Sequence, residues 1–217
     1  RSMRELEEVA AACGPDALAI GLDVSDEAAC ESAVARCQNE LGGLDILVNN
    51  AGIATSRKFT DVDTELWRQT MAVDVEGPLW LTRAALPTML AAGRGAVISI
   101  ASTAGQVGYR YVAPYVAAKH ALIGLTRALA VEYATSGVTF NCVCPYFVDT
   151  PMLAATIETI VEKTGVSADR ARRQLLNPQG RLVQPEEVAT VVTMLASARG
   201  RAISGQTINV DGGEVQS

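Results

Sequence analysis

Five short apolar runs alternate along the chain with longer segments of helical spacing. The runs cover residues 17–22, 44–49, 96–101, 138–144 and 207–210, and turn-forming residues bound each of them. The helical segments are 2–13, 26–41, 64–90, 114–135 and 185–197, and Pro78 is expected to break or kink the third. Runs such as Ile46-Leu47-Val48 are apolar at every position, as strands covered by helices on both faces must be. This order predicts an α/β fold with a doubly wound parallel sheet.

The length and composition favour a single domain over residues 1–217. Of the 217 residues, 49% are hydrophobic and 19% are charged, which is enough apolar material for one core. Residues 151–180 differ from the rest, because they carry helical fragments at 152–163 and 167–176 with no strand before the next long helix. We expect this insertion to form a lid over a substrate site.

The charge balance argues against a polyanionic partner. The 18 basic and 24 acidic residues give a net charge of -6, which disfavours nucleic acid and anionic membrane and leaves a small-molecule substrate as the expected partner. No run reaches 18 apolar residues, and residues 1–12 read as a charged amphipathic helix rather than a signal peptide, so we expect a cytoplasmic protein. The cysteines form no C-x-x-C pair and are expected as buried reduced thiols, with no metal site: Cys13, Cys30, Cys37, Cys142 and Cys144.

Polar and turn-forming residues follow the ends of four predicted strands, at 23–24, 49–52, 102 and 145–150. In an open parallel sheet, ligands bind beyond the carboxyl ends of the strands. We therefore expect these residues to gather on one rim of the sheet and to form the site.

Tyr115 and Lys119 are a candidate proton-transfer pair on that rim. They lie four residues apart near the start of a predicted helix, so both side chains project from one face. A phenol ordinarily ionises at about pH 10, and a neighbouring ammonium stabilises the phenolate. The Ser102 hydroxyl can both donate and accept, and could orient a substrate oxygen beside the phenol. A Y-x-x-x-K pair alone more often lies on the protein surface without a function. The pair is informative here only because it occurs together with the other strand-end residues.

Together these positions resemble the short-chain dehydrogenase/reductase family across essentially the whole chain. The resemblance implies a Rossmann-like single domain. The motifs that carry it are Asp23-Val24, Asn49-Asn50-Ala51-Gly52, Ser102, Tyr115-Val116-Ala117-Ala118-Lys119, the stretch N-C-V-C-P-Y-F-V-D-T at 141–150, and Val210-Asp211-Gly212-Gly213.

The resemblance implies catalysis by Tyr115 as acid/base, with Lys119 lowering its pKa while binding the nicotinamide ribose and Ser102 holding the substrate oxygen. Hydride would pass between NAD or NADP and a carbon bearing a hydroxyl or a ketone, and the sequence does not choose between the two cofactors. The further cofactor residues that the resemblance implies are Asp23 and Val24 at the adenine, Asn49, Ala51 and Gly52 at the centre, and Pro145, Val148 and Thr150 near the carboxamide.

Two residues depart from the family pattern. Asp74, in Val73-Asp74-Val75-Glu76-Gly77, stands where the family has an asparagine that anchors a water in the proton relay. An ionised carboxylate cannot donate, so the relay would work less well or depend on the protonation of Asp74. Tyr146 stands where the family has a glycine, and either forms an aromatic wall of the substrate pocket or marks a distorted loop.

The family's opening unit is absent from the sequence as given. Family members begin with a strand, a Gly-rich turn that holds the pyrophosphate and a second strand, whereas Arg1 aligns near the adenosine ribose position. We expect the sequence to be a piece of a longer chain.

The resemblance is greatest to the branch that reduces 3-oxoacyl thioesters and aromatic polyketides. A 3-oxoacyl thioester (acyl-CoA or acyl-carrier) and its 3-hydroxy form are therefore the expected substrate pair. The expected substrate contacts are Ser102, Gln106, Tyr109, Tyr146 and Met152. The lid arginines at 170, 172 and 173 either meet a CoA phosphate or an acyl-carrier partner, or form a solvated helix face, the last being favoured. His120 is expected to point away from the Tyr115 and Lys119 face.

Two further expectations concern the whole chain. The alternative to an enzyme is a non-catalytic scaffold or binding protein derived from the family. The resemblance implies a homodimer or homotetramer that packs through helices 64–90 and 114–135. The apolar content of these helices, in Leu79-Trp80-Leu81 and Ala121-Leu122-Ile123, exceeds what one buried stripe needs.

Overall fold

Four parallel strands form one sheet in the computed structural model, which describes residues 3–216. The strands are β1 (Ile46–Asn49), β2 (Gly95–Ile100), β3 (Val138–Pro145) and β4 (Thr207–Val210), paired in the order β1-β2-β3-β4. Val48 lies opposite Ile98, and Ser99 lies opposite Cys142. The predicted parallel sheet is therefore confirmed.

Eight α-helices accompany the strands within the described residues. They are α1 (Met3–Cys13), α2 (Glu27–Leu41), α3 (Thr64–Met71), α4 (Gly77–Ala92), α5 (Ala113–Glu132), α6 (Pro151–Thr164), α7 (Ala168–Arg173) and α8 (Pro185–Ala196). Ser2, which was predicted to begin the first helix, lies outside the described residues. Within residues 3–216, no helix has both the length and the apolar character needed to cross a membrane.

The predicted strand at 17–22 is wrong. These residues do not form a strand. A turn precedes them, in which the N–H of Ala17 donates to the carbonyl of Gly14 at 3.2 Å. An apolar run fits a strand by composition, but a strand also needs a hydrogen-bonded neighbour. None of the four described strands pairs with residues 17–22, so this run makes no strand hydrogen bonds.

The long helical segment 64–90 remains helical throughout and does not break near Pro78, but its hydrogen-bond pattern changes just before that residue. α3 and α4 are joined by a five-residue π-helical turn, Ala72–Glu76, and Pro78 occupies the first turn of α4. Proline is tolerated there because the first helical N–H groups have no partner inside the helix. The π turn carries Asp74 inward, since Asp74 is fully buried.

Helices cover both faces of the sheet. On one face, Val97 and Phe140 pack against Leu86 and Met89 of α4. On the other face, Ile98 and Val143 pack against Leu195 of α8. Neighbouring strand residues point to opposite faces, so both faces need apolar side chains, and the near-continuous apolar runs follow from this.

The insertion after β3 forms its own small cluster. Leu153 of α6 packs with Leu175 and Leu182, and Phe147 packs against them. Val148 and Val183 form an isolated parallel bridge at the base of the insertion. Residues 151–180 are thus helical and built outside the main core, in the place where a lid was expected.

Candidate active site

The carboxyl ends of β1, β2 and β3 bring the predicted site residues to one edge of the sheet. Asn49 ends β1, Ser102 follows β2 by two residues, and Tyr146 follows β3 directly. Because the strands are parallel and in register, these ends meet on the same rim.

Lys119 lies at the centre of this rim and is buried. Its Nζ donates to the carbonyl of Ile100, the last residue of β2, at 3.2 Å, and lies 3.2 Å from Oδ1 of Asp74. The same Nζ is 5.4 Å from the centroid of the Tyr115 ring. Helix α5 therefore presents Tyr115 and Lys119 together, as their spacing predicted, and fixes them beside the residues that lead to Ser102.

Asp74 is the least expected member of the site. Its side chain is 0% exposed and that of Lys119 is 4% exposed, so their ion pair is out of contact with solvent. The backbone N–H of Ile53 lies 3.2 Å from Oδ1 and 3.4 Å from Oδ2 of Asp74. Burial raises the pKa of Asp74, and the neighbouring Lys119 ammonium opposes that rise.

Gly52 is required by this buried pair. A Cβ at position 52 would lie 2.6 Å from Oδ1 of Asp74 and 3.3 Å from Nζ of Lys119. Glycine at the end of the Asn49 to Gly52 motif is therefore explained by close approach to Asp74.

Ser102 caps the short 3-10 turn Thr103–Gly105. Its Oγ accepts from the backbone N–H of Ala104 at 3.1 Å, and this bond does not use the hydroxyl proton. The hydroxyl can thus still donate to an oxygen on the rim.

Asn49 supplies a buried acceptor without a partner. Its Nδ2 donates to Oγ1 of Thr82 at 3.3 Å and to Oγ of Ser99 at 3.4 Å. Its Oδ1 is buried and makes no hydrogen bond. A buried polar atom of this kind calls for a donor from a ligand or a water.

Asp23 and Val24 lie next to the start of α4. The Asp23 carboxylate accepts from Ser25 Oγ at 2.7 Å and from Ser25 N–H at 3.0 Å, which holds the pKa of Asp23 below its usual value. A Cβ on Gly77 would lie 2.7 Å from the Val24 carbonyl oxygen, so the chain at Val24 packs closely on that helix.

The segment after β3 connects the rim to the insertion. Pro145 ends β3, Val148 pairs with Val183, and Thr150 precedes α6 with its Oγ1 donating to the Val148 carbonyl at 3.3 Å. Asp149 accepts from Arg172 of α7 at 2.8 Å. Of the three lid arginines, Arg172 is therefore engaged within the protein.

An aromatic cluster borders the rim. The ring centroids of Tyr109 and Tyr146 are 6.3 Å apart, and those of Tyr146 and Phe147 are 4.8 Å apart in an edge-on arrangement. Tyr109 donates to Oγ1 of Thr103 at 3.1 Å. Burial, with Glu214 and Tyr109 nearby, raises the pKa of Tyr146 to about 12.

The backbone at Tyr146 has neither a cis peptide bond nor a positive φ. Among the described residues other than glycine, a positive φ occurs only at Tyr111, at 68°. This favours the first of the two interpretations of Tyr146, an aromatic wall. Tyr111 itself was missed from the sequence, although its carbonyl accepts from the N–H of Arg57 at 2.7 Å and ties two rim loops together.

The remaining residues that were predicted to lie at the site differ in their exposure and in their hydrogen-bond partners. Gln106 donates to Oδ1 of Asn209 on β4, and Met152 on α6 is 51% exposed. Ala51 is exposed and borders the rim. His120 is exposed, with its Nδ1 2.9 Å from the Val116 carbonyl of its own helix, in agreement with its expected orientation away from the pair.

Thr82, Ser99 and Ile53 were also missed from the sequence. They act through contacts with Asn49 and Asp74, and only Ser99, at the end of an apolar strand beside the rim, carries a sequence signal that could have found it.

Known proteins resemble the chain over nearly all of its length. A short-chain dehydrogenase family model, described as enoyl-(acyl carrier protein) reductase, matches residues 1–214. D-beta-hydroxybutyrate dehydrogenase of Cupriavidus necator is 37% identical over 198 residues, which are 90% of this chain and 77% of that protein. The inactive 2-(S)-hydroxypropyl-CoM dehydrogenase 2 of Xanthobacter autotrophicus is 40% identical over 210 residues, which are 95% of this chain and 89% of that protein.

A solved structure shares the fold. The crystal structure of sorbitol-6-phosphate 2-dehydrogenase from Erwinia amylovora superposes with a TM-score of 0.92 at 26% identity, and the match covers 99% of this chain and 86% of that one. With the family model matched over this range and relatives of this identity and coverage, the chain belongs to the short-chain dehydrogenase/reductase family of NAD(P)-dependent oxidoreductases.

Proposed function

We propose that the chain interconverts a ketone and a secondary alcohol, with a 3-oxoacyl thioester and its 3-hydroxy form as the substrate pair. The observation that carries the proposal is the position of Lys119, which is buried on α5 with its Nζ 5.4 Å from the Tyr115 ring centroid. The same Nζ donates to the carbonyl of Ile100, the last residue of β2, which precedes Ser102 by two residues. In this proposal Tyr115 exchanges the proton, and Ser102 holds the reacting oxygen.

The residues on the rim fit the nicotinamide end of NAD or NADP. An ammonium has three protons, and the contacts of Lys119 with Ile100 and Asp74 use two of them, which leaves one for a ribose hydroxyl. The unpaired Oδ1 of Asn49 can accept from a bound group on the same rim. When bound, the nicotinamide ring supplies or takes up the hydride.

The remaining cofactor residues are assigned by their place on the rim. Val148 and Thr150 would hold the carboxamide beside Pro145, and Asp23 with Val24 would border the adenine. We assign no residue to the pyrophosphate, since the sequence contains no G-x-G-x-x-G turn.

The aromatic cluster supports an acyl substrate. Tyr109 and Tyr146 offer apolar ring faces next to the rim, and Met152 on α6 is exposed toward solvent at the start of the insertion. We infer that residues 151–180 act as a lid over an acyl chain. The description of the matched family model names an acyl-carrier-protein thioester, and the name of the hydroxybutyrate relative names a 3-hydroxy acid, so each shares one part of the proposed substrate pair.

Steady-state assays with NADH and NADPH test the proposal. We expect acetoacetyl-CoA to be reduced in preference to cyclohexanone, and Tyr115→Phe to lower kcat by about 100-fold or more, the scale of lost acid–base catalysis. Tyr133→Phe, which changes a tyrosine that packs on Phe140 away from the rim, is the matched control.

Two outcomes would contradict the proposal. A strong preference for the cyclic ketone would reject the thioester, and near-normal turnover by Tyr115→Phe would reject the role of Tyr115. If no substrate turns over and fluorescence titration shows binding of neither NADH nor NADPH, the result favours the alternative, a non-catalytic scaffold or binding protein.

A further inference from the structure

We propose that Gln106 is a positioning residue for Ser102: its side-chain amide ties the turn that begins at Ser102 to Asn209 on β4. This role rests on the proposed function, in which Ser102 holds the reacting oxygen. Gln106 was expected from the sequence to contact the substrate, and in the structure its amide is bonded inside the protein instead.

The turn that carries Ser102 ends at Gln106. The Gln106 N–H donates to the carbonyl of Thr103 at 2.9 Å. The Gly105 N–H donates to the carbonyl of Ser102 at 2.9 Å. This turn lies against α5, since a Cβ on Gly105 would lie 2.8 Å from the Lys119 carbonyl oxygen. Helix α5 therefore supports the turn on one side, and the Gln106 side chain provides a separate attachment.

The Gln106 side chain connects this turn to the sheet. Its Nε2 donates to Oδ1 of Asn209. The thiol of Cys144, on β3, is hydrogen-bonded to the same side chain and to the backbone of Ser102. Cys144 is fully buried and lies opposite Asn209 in the register of β3 and β4. The partners of Gln106 therefore belong to two paired strands of the sheet.

Asn209 is itself held at both ends of its amide. Its Oδ1 accepts from Gln106, and its Nδ2 donates to the carbonyl of Val215 at 3.1 Å. The Val215 N–H donates to the carboxylate of Asp211, which is buried, at 2.9 Å. A flip of the Asn209 amide would lose both of its bonds, because a carbonyl oxygen can only accept and an amide nitrogen only donate. Asn209 is therefore a fixed anchor for Gln106.

A displacement of the turn would act on the reaction through the Ser102 hydroxyl. Ser102 Oγ accepts from the Ala104 N–H at 3.1 Å, so the backbone of the turn sets its place. Misplacement of a catalytic group by about 1 Å can lower a rate by about 100-fold. Loss of the bond between Gln106 and Asn209 should therefore lower kcat and leave cofactor binding intact.

Two substitutions break this bond from opposite ends, Gln106→Met and Asn209→Leu. Each replaces an amide with an apolar side chain of similar size. Steady-state assays use the ketone that the parent reduces better, acetoacetyl-CoA or cyclohexanone. We expect each variant to lower kcat by about 10-fold, with KM for the ketone and Kd for NADH or NADPH changed by less than about twofold.

Gln206→Met is the matched control. Gln206 is exposed just before β4, at the end of that strand opposite to Asn209, and its amide donates to the Ser204 carbonyl at 3.2 Å. The same change from glutamine to methionine at this position should leave kcat unchanged. A loss of kcat equal to that of Gln106→Met would overturn the inference.

The double variant distinguishes one shared bond from two separate effects. Gln106→Met with Asn209→Leu removes a single bond, so kcat should again fall by about 10-fold and not by about 100-fold. Multiplied single effects would overturn the inference. A raised KM at an unchanged kcat in Gln106→Met is the pattern of a substrate contact, and it would overturn the inference even if Asn209→Leu does not fold.

Amide hydrogen exchange separates this inference from the proposed function. We expect the peptide that covers residues 103–109 to exchange faster in both single variants than in the parent, by about threefold or more, and the peptide that covers β1 to be unchanged. If exchange responds in this way while the parent reduces no ketone, the proposed function fails and the attachment of the turn through Gln106 stands. If the parent reduces a ketone and neither exchange nor kcat responds, only the role of Gln106 fails.

Discussion

At the scale of single residues, Gly52 connects the Asn49 to Gly52 motif with the buried ion pair of Asp74 and Lys119. A methyl group there would enter the space of the Asp74 carboxylate, at 2.6 Å from Oδ1. We expect Gly52→Ala to lower the free energy of unfolding by about 1–3 kcal/mol, because the buried pair must move to make room. Urea unfolding followed by circular dichroism measures this.

Gly124 provides the control for that substitution. It lies in the interior of α5, where an added Cβ meets no atom within 4 Å. Gly124→Ala should leave stability unchanged or raise it by up to about 1 kcal/mol. Equal destabilisation at both positions would show that the crowding at Gly52 has no effect.

Single-residue roles were predictable from the sequence where they depend on local spacing. Tyr115 and Lys119 lie one helical turn apart, so their common face follows from the helix alone. The pairing of Lys119 with Asp74 could not be predicted, because it depends on how α5 packs against a π turn 45 positions earlier in the chain. The expected burial of all cysteines was wrong at Cys13, which is exposed on α1, a helix with no buried residue, and at Cys37, which is only half-buried.

At the scale of the elements, helix boundaries could be predicted from the sequence where capping or turn-forming residues lie at them. Asp26 caps α2 through the N–H of Ala29, and Gly42 ends that helix with a φ of 77°, the left-handed conformation that glycine adopts easily. The π turn between α3 and α4 was not predictable, because Pro78 predicts a break or kink and not a change of hydrogen-bond pattern. The wrong prediction of a strand at 17–22 has a different cause. A strand depends on a hydrogen-bonded neighbour, and the composition of the run does not reveal whether one is present.

Glu187 stabilises the start of α8 through two kinds of bond. Its carboxylate receives two bonds of 2.7 Å from Arg181 and one of 2.8 Å from the Gln184 N–H. These contacts lower the pKa of Glu187 to about 2. Because the folded value lies below the unfolded value, the stabilisation is complete above about pH 4.5 and disappears as the pH falls through about 2.

We therefore expect Glu187→Gln to destabilise the chain at pH 7 and to have little effect near pH 2. The measurement is urea unfolding at several pH values, with Glu186→Gln, the exposed neighbour in the same turn, as control. A loss of stability that is the same at all pH values would exclude the charged bonds as its cause.

At the scale of the whole molecule, we propose that the chain forms a homodimer or homotetramer through α4 and α5. Leu122 and Ile123, which were expected at the interface, are buried in the chain's own core. The large apolar residues that these helices expose are Leu79, at 38%, and Val131, at 79%. Such side chains are the ones that a second copy would cover.

Light scattering coupled to size-exclusion chromatography tests the assembly. We expect a mass of two or four chains for the parent and a smaller mass for Val131→Lys, since a buried unpaired lysine disfavours association. Val9→Lys, at an exposed position of α1, should not change the mass. A monomeric parent would contradict the proposal.

The bond between Lys119 and the Ile100 carbonyl has a mechanical consequence. It joins α5 to the end of β2 at the point where the chain leads into Ser102. A slide of α5 along the sheet would break this bond, so the bond opposes that movement. It therefore helps to hold Tyr115, on α5, in place relative to the residues that lead into Ser102.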